Sequence, residues 1–270
     1  MLTKVASLPG RTVRYLDAGR GRAVVLIHGF PLSADQWLPQ LHRVPPGWRF
    51  VAPDLRGFHG TGRAGDDGDL DAVTMDTYAS DLLTLMTELG LDDAVICGLS
   101  MGGYVALALV RLAPARVAGL VLANTRAGAD SADGRAGRDR MIDLVRREGP
   151  PAVAREMLPK LLGETTRREQ PDLLDAVGAI VEANSTEGIV AALRAMKGRP
   201  DSTPLLPSIS CPTLVVTGEE DTLVPPQESD GLRTAIPGAE RIVLPRAGHL
   251  TNLEDPMGFT TALGRFLTRA

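Results

Sequence analysis

The chain has 270 residues, with 29 Lys plus Arg against 33 Asp plus Glu, a formal net charge of -4 and a hydrophobic fraction of 44%. These values are ordinary for a globular protein, and the acidic balance argues against a nucleic-acid partner, because phosphate binding relies on clustered Lys and Arg. The N-terminus lacks the apolar run of a signal peptide, and no apolar stretch reaches the ~18 residues of a membrane span. We therefore expect a cytoplasmic protein without a membrane partner.

The strand candidates in chain order are Thr12–Asp17, Ala23–His28, Arg49–Pro53, Ala94–Gly98, Gly119–Ala123, Thr213–Gly218 and Glu240–Leu244. Several of them, such as AVVLIHG and TLVVTG, are almost continuously apolar, which is typical of parallel strands covered by helices on both faces. Helical patterns alternate with these runs, for example TYASDLLTLMTELG, whose apolar residues recur every three or four positions. The order predicts an α/β fold with a mostly parallel central sheet flanked by helices.

The pattern changes after Asn124, because about eighty Arg-rich, helical residues follow without a strand candidate. We interpret residues 126–204 as an inserted helical lid, and residues 1–125 and 205–270 as the core domain. A pair of ordinary crossover helices is the alternative, although one crossover seldom needs so many residues. The acidic stretch Gly65–Asp71 is expected to be a solvated loop.

The strongest local motif is Gly98-Leu99-Ser100-Met101-Gly102, a G-x-S-x-G sequence between the apolar strand AVICG and a helical run. A serine on a sharp strand-to-helix turn needs small neighbours and exposes its hydroxyl at the edge of the sheet. The helix that starts there also favours developing negative charge. The motif therefore predicts a nucleophile at Ser100; the alternative is a glycine-rich turn with an incidental serine.

A nucleophilic serine needs a base, and the base needs a group that orients it. Of the four histidines, His249 is favoured because it follows the last strand candidate and can reach the same sheet edge as Ser100. Three carboxylates, Glu219, Glu220 and Asp221, follow the strand before it. Asp221 is the preferred partner, whereas Glu219 and Glu220 are expected to be solvated turn residues, each remaining an alternative.

Five segments carry a family resemblance: HGF at 28–30, PDLRG at 53–57, GLSMGG at 98–103, GEEDTLVP at 218–225 and AGH at 247–249. In this order and spacing they resemble the α/β-hydrolase superfamily over essentially the whole chain. The resemblance implies that Ser100 is the nucleophile, His249 the general base and then acid, and Asp221 its orienting carboxylate. It also implies an oxyanion hole made by the backbone N–H groups of Phe30 and Met101.

Within the superfamily, GLSMGG and HGFPLSADQW look like the group of 3-oxoadipate enol-lactonases, small carboxylesterases and cofactor-free perhydrolases. Pro31 is similar to a proline that marks perhydrolase-like members, although it could equally serve only to stiffen the loop. The segment Arg56–Arg63 departs from the usual shorter G-x-G-x-S turn, which leaves that side of the pocket undefined. A serine at position 100, rather than an aspartate, argues against dehalogenase and epoxide hydrolase activity.

The leading hypothesis is a serine hydrolase that cleaves small to medium carboxylic esters or lactones through an acyl-enzyme. Alternatives are perhydrolysis or C–C bond hydrolysis with the same triad, and, from another class, a ligand receptor on this fold. The residues proposed to shape the pocket, each of which could equally be core, are Phe30, Trp37, Met141, Met157 and Leu161. No cofactor or metal is expected, because phosphate-binding glycine motifs and metal-ligand spacings are absent and only Cys97 and Cys211 are cysteines.

Overall fold

The computed structural model describes residues 1–58 and 69–270. In this part of the chain, eight strands form one sheet in the order β1-β2-β4-β3-β5-β6-β7-β8. The strands are β1 (Leu2–Leu8), β2 (Arg11–Gly19), β3 (Arg22–Ile27), β4 (Trp48–Pro53), β5 (Ala94–Leu99), β6 (Val117–Ala123), β7 (Thr213–Gly218) and β8 (Glu240–Leu244). The β1–β2 and β2–β4 pairs are antiparallel and the other neighbours are parallel.

The predicted fold class is confirmed, and the seven strand candidates correspond to β2 through β8. The sequence did not predict β1. This strand lies at the edge of the sheet, and its residues Leu2 and Val5 are 61% and 66% exposed. An edge strand that packs against little core needs no strong apolar pattern, so its sequence does not stand out.

The α-helices of the described residues follow in chain order. They are α1 (Leu38–Leu41), α2 (Met75–Glu88), α3 (Met101–Leu112), α4 (Ala132–Glu148), α5 (Pro150–Leu161), α6 (Glu164–Glu169), α7 (Pro171–Glu182), α8 (Thr186–Lys197), α9 (Pro226–Ala235), α10 (Thr251–Glu254) and α11 (Pro256–Leu267). The helix predicted from TYASDLLTLMTELG is α2, which begins with a capping box at Thr74 and buries Tyr78 and Leu82. Its buried stripe anchors it to the core.

Residues 126–204, all of them described, contain α4 through α8 and no strand. The segment approaches the rest of the chain very closely where α8 begins. A Cβ at Gly188 would lie 1.7 Å from the carbonyl oxygen of Gly57, and Gly57 itself has a φ of +84°. Only glycine fits at either position.

Within residues 1–58 and 69–270, no single helix is long and apolar enough to cross a membrane. The pair α7 and α8, bent by 93°, passes the length and composition test only when the two helices are taken together. His59, residues 59–63 of the divergent turn and residues 65–68 of the acidic loop lie outside the described residues.

Candidate active site

Ser100 occupies the sharp turn between β5 and α3. Its φ of 55° and ψ of -113° are unusual for a residue with a side chain, so the surroundings must hold the turn in place. The backbone N–H of Ser100 donates to the carbonyl of Ala123 at 2.8 Å, and Thr125 Oγ1 donates to the carbonyl of Ser100 at 2.8 Å. A Cβ at Gly102 would lie 2.2 Å from the carbonyl oxygen of Ile27, which explains the glycine after the serine.

His249 lies between Ser100 and Asp221. Its Nε2 is 2.8 Å from Ser100 Oγ, and its Nδ1 is 2.9 Å from Asp221 Oδ2 and 3.1 Å from Asp221 Oδ1. The side chains of His249 and Asp221 are 3% and 0% exposed. With a proton on Nδ1 donated to the carboxylate, Nε2 is free to accept the serine proton.

Asp221 is held by donors on every side. Its Oδ1 accepts the backbone N–H groups of Leu223 and Val224 at 2.9 and 3.0 Å, and its Oδ2 accepts Asn124 Nδ2 at 2.8 Å. Burial by itself would raise the pKa of Asp221, but His249, Asn124 and the Val224 amide outweigh it, and the pKa lies below its usual range. The carboxylate is therefore ionised at neutral pH and able to hold the imidazole in one orientation.

The other two carboxylates after β7 point elsewhere. Glu219 accepts the backbone N–H of Arg246 at 3.1 Å, and Glu220 accepts the backbone N–H and hydroxyl of Thr165 at 2.8 and 2.5 Å. Glu220 therefore joins the β7 end to α6. Of the three candidate acids, the structure places Asp221 against His249.

His28, on the loop that leads to Phe30, has a structural position. Its Nε2 accepts the backbone N–H of Leu55 at 3.0 Å, which leaves Nδ1 to donate to the carbonyl of Gly29 at 3.0 Å. The ring is fully buried and packs edge-on against Phe58 with centroids 5.0 Å apart. His28 thus shapes the loop without approaching the serine.

Two backbone amides are available beside Ser100. Among the described residues, neither the N–H of Phe30 nor that of Met101 donates to a protein acceptor. Met101 is the first residue of α3, so its amide belongs to the positive end of a helix. Unpaired amides at a helix start are suited to bind an oxyanion.

Ser100 and His249 open into a cavity of about 80 Å³. We call the side formed by the core the floor and the side formed by residues 126–204 the roof. The floor residues are Phe30, Ser100, Tyr104, Leu223, Val224 and His249, and the roof residues are Arg126, Arg138, Met157 and Met196. Within the described chain, no group of three or more His, Cys, Asp or Glu side chains is placed to hold a metal ion.

Two of the five residues proposed from the sequence to shape the pocket, Phe30 and Met157, line this cavity. The other three lie elsewhere: Trp37 and Leu161 are fully buried in the core, and Met141 lines a separate surface depression between α4 and α5. Apolar residues at helical spacing serve packing and pockets alike, so sequence alone did not separate these roles.

Sequence reasoning missed the two arginines of the roof. Arg126 follows the end of β6 by three residues, at the sheet edge that carries Ser100, and this position was a usable signal. Arg138 lies in the middle of α4, among many other arginines, and its sequence carries no comparable signal. Its place in the cavity depends on how α4 packs.

A second buried network joins roof to floor next to His249. Glu254 Oε1 accepts the backbone N–H of Leu250 at 2.9 Å, and its Oε2 accepts that of Gly163, at the start of α6, at 2.7 Å. Burial raises the pKa of Glu254 above its ordinary value despite these bonds. The carboxylate therefore ties the histidine loop to the α5–α6 connection.

The comparisons with known proteins identify the family of the chain. Residues 22–256 match the family model of the α/β hydrolase fold, and the chain belongs to that family. A malate-bound structure of a thermophilic esterase from Thermogutta terrifontis is 39% identical, with a TM-score of 0.93 over 100% of this chain and 99% of that one.

Two further relatives differ in their chemistry. The enol-lactonase of Burkholderia xenovorans LB400 is 27% identical, with a TM-score of 0.89 over 98% of this chain and 100% of its own. A non-heme chloroperoxidase of Kitasatospora aureofaciens is 31% identical over 265 residues, which cover 89% of each chain. The family and the resemblance to the enol-lactonase, esterase and perhydrolase group are thereby confirmed, while the relatives' reactions differ.

Proposed function

We propose that the protein is a serine hydrolase that cleaves small carboxylic esters or lactones through an acyl-enzyme. The observation that carries this proposal is the chain of contacts from Asp221 through His249 to Ser100 Oγ, beside two unpaired amides and a cavity. The esterase and enol-lactonase relatives support it. A cavity of about 80 Å³ favours a short acyl group, because it is small beside the ~300–1,000 Å³ of typical ligand pockets.

In the proposed reaction, Ser100 Oγ attacks the ester carbonyl while His249 Nε2 takes the serine proton. The negative oxygen of the tetrahedral intermediate accepts hydrogen bonds from the amides of Phe30 and Met101. His249 then returns the proton to the leaving alcohol. Water, deprotonated by the same histidine, releases the carboxylic acid from Ser100, and Asp221 keeps the imidazole oriented and stabilises its charged form.

Residues 126–204 act in this proposal as a lid over the core formed by residues 1–125 and 205–270. Four side chains of that segment line the cavity opposite Ser100. A cover of this kind excludes water from the reacting ester, which strengthens each electrostatic contact inside. The lid therefore determines which acyl groups enter.

The test measures initial rates on p-nitrophenyl esters from acetate to decanoate, with 3-oxoadipate enol-lactone alongside. We expect rates that are highest for short acyl chains. Ser100→Ala should lose at least about a thousandfold in kcat, leaving only the effect of binding and the oxyanion site. Ser80→Ala, at an exposed position of α2, is the matched control and should retain full activity. Turnover no faster than that of Ser100→Ala on every substrate would contradict the proposal and favour a ligand receptor.

Peroxide in place of water as the acyl acceptor is the second candidate, and the chloroperoxidase relative favours it. Pro31 follows Phe30, and its carbonyl accepts Asn184 Nδ2 from the end of α7 at 2.9 Å. Addition of hydrogen peroxide to the ester assay tests this candidate: peracid formation that depends on Ser100 would support it. Unchanged release of carboxylic acid would leave hydrolysis as the reaction.

A further inference from the structure

The cavity beside Ser100 contains two guanidinium groups that hydrolysis of a neutral ester does not use. Arg126 and Arg138 belong to the roof, and their side chains are 28% and 23% exposed. Neither contacts the Ser100, His249 and Asp221 chain in the described hydrogen bonds. Their presence next to the nucleophile needs an explanation in terms of what the cavity binds.

The partners of these arginines do not balance their charge. Asp130, whose side chain is 1% exposed, accepts Arg126 Nη2 and Arg138 Nε, each at 3.1 Å, and also Arg199 Nη1 at 2.7 Å. One carboxylate therefore serves three guanidinium groups. Glu228 also acts on the charge of Arg126, but it lies exposed on α9 and does not line the cavity. The site keeps a positive excess although the whole chain is acidic.

The third arginine has a structural role, which separates it from the other two. Arg199 is 3% exposed, donates to the carbonyls of Met196 and Gly128 at 2.9 and 2.8 Å, and stacks over the ring of Tyr104 at 4.0 Å. Arg199 therefore holds the Asp130 carboxylate in place. Arg126 and Arg138 are left as the charges that face the cavity.

Both cavity arginines retain unused donors. Within residues 1–58 and 69–270, Nη1 of Arg126 and the two terminal nitrogens of Arg138 make no hydrogen bond, whereas Nε of Arg126 is unpaired but buried. Guanidinium groups bind carboxylates through parallel N–H bonds, and such a pair is stronger in a partly enclosed site than in water. A neutral acyl chain offers nothing to these donors and leaves their charge uncompensated.

We propose that the substrate carries a free carboxylate, held by Arg126 and Arg138, on the acyl part of the ester or lactone. The small cavity favours a short dicarboxylic acid as this acyl part. The inference rests on the proposed function, since it names the substrate class of the same site. Half-esters of four- and five-carbon diacids, and lactones that bear a carboxylate, are the substrates expected.

The first experiment compares kcat/KM for monomethyl glutarate with that for methyl valerate, which has the same acyl length without the charge. Wild type should favour the half-ester by about tenfold or more, the size expected for a hydrogen bond to a charged group. Arg126→Gln and Arg138→Gln should each lower this ratio about tenfold. Arg140→Gln, at an exposed position of α4 that makes no hydrogen bond within the described part of the chain, is the control and should leave the ratio unchanged.

Two measurements guard against misfolded variants. Raising the salt concentration should weaken the preference in wild type itself, because screening acts on the charge pair and not on the ester. Calorimetry on the Ser100→Ala protein should show binding of monomethyl glutarate and at least tenfold weaker binding of dimethyl glutarate. The carboxylate site would be overturned if kcat/KM of wild type for methyl valerate equalled or exceeded that for monomethyl glutarate. It would also be overturned if neither arginine substitution changed the ratio of these two values.

The two proposals fail in different ways. Hydrolysis of methyl valerate without a preference for the half-ester would reject the carboxylate site and leave the hydrolase standing. Binding of the half-ester to Ser100→Ala, without turnover of either ester by wild type, would reject the hydrolase and support an anion-binding site.

Discussion

The floor and the roof of the cavity are built on different principles. On the floor, Asp221 is surrounded by donors and His249 is paired on both ring nitrogens. On the roof, three guanidinium groups share Asp130 and several donors stay unpaired. The paired contacts of Asp221 and His249 fix one geometry, whereas the spare guanidinium donors of the roof are available to a ligand. We infer that the floor performs the reaction and that the roof selects the substrate.

The largest effect on kcat is expected from a substitution of Asp221. Asp221→Asn should reduce kcat by roughly 10³- to 10⁴-fold, because the amide cannot hold the imidazole in the required tautomer. Steady-state kinetics on a short ester measures the effect. The ratio of half-ester to neutral ester should stay as in wild type, since the roof is untouched. A large change in that ratio would contradict the division between floor and roof.

Removal of the Glu254 side chain, which connects floor and roof, should mainly lower the stability of the fold. Glu254→Ala leaves the buried N–H groups of Gly163 and Leu250 without this acceptor, and we expect a loss of about 2 kcal/mol in the free energy of unfolding. Urea titration measures it. The exposed Glu240, paired with Arg269, provides the control, and Glu240→Ala should change stability by less than about 0.5 kcal/mol. Equal losses of unfolding free energy for Glu254→Ala and Glu240→Ala would contradict a stabilising role of the Glu254 hydrogen bonds.

A smaller change on the floor tests the support of the acid. Asn124→Ala removes one donor from Asp221, together with the bonds of Asn124 to the Gly248 carbonyl and the Thr251 hydroxyl. It should lower kcat about tenfold, the size expected for a hydrogen bond between a neutral donor and a charged group. The lost bond should also raise the pKa of Asp221, and an NMR titration of its carboxyl carbon measures this shift. Loss of activity without this shift would indicate general disruption of the site.

The smallest expected effect lies on the roof and depends on pH. Burial would raise the pKa of Asp130, but Arg138 and Arg199 outweigh it and the folded pKa is lowered. A lowered pKa contributes stability above the unfolded value near 3.8 and loses it as the pH falls through the folded value. Asp130→Asn should therefore flatten the acid limb of the unfolding free energy, by at most about 1.4 kcal/mol per pH unit. If the unfolding free energies of wild type and Asp130→Asn ran parallel between pH 3 and 7, the stabilising role of the ion pairs around Asp130 would be contradicted.

The floor could be predicted from the sequence because its signals are local. Ser100 lies in a motif between a strand and a helix, and Asp221 and His249 each follow a strand that ends at the same sheet edge. The sequence favoured Asp221 over its two neighbouring glutamates, and the structure supplied the contact with His249, because three consecutive residues differ mainly in the direction of their side chains. Sequence signals of this kind place a residue at an edge without orienting its side chain.

The roof was largely hidden in the sequence because its side chains meet through packing. Met141 and Met157 are both apolar residues at helical spacing, yet Met157 lines the cavity and Met141 does not. The long segment 126–204 was recognisable as helical, but the helix faces that point toward Ser100 depend on crossing angles that no local pattern encodes. The edge strand β1 was not predicted either, because it packs against too little core to show an apolar pattern in its sequence.

The contact of Gly57 with Gly188 limits how the substrate range of this protein can change. A methyl group at either position would collide with the opposing backbone, so the start of α8 is held directly against the core. Under the proposed function, larger acyl groups would be admitted by trimming cavity side chains such as Met157 or Met196, because tilting α8 would separate this contact. Libraries focused on those two methionines should therefore yield new specificities more readily than libraries at the glycine pair.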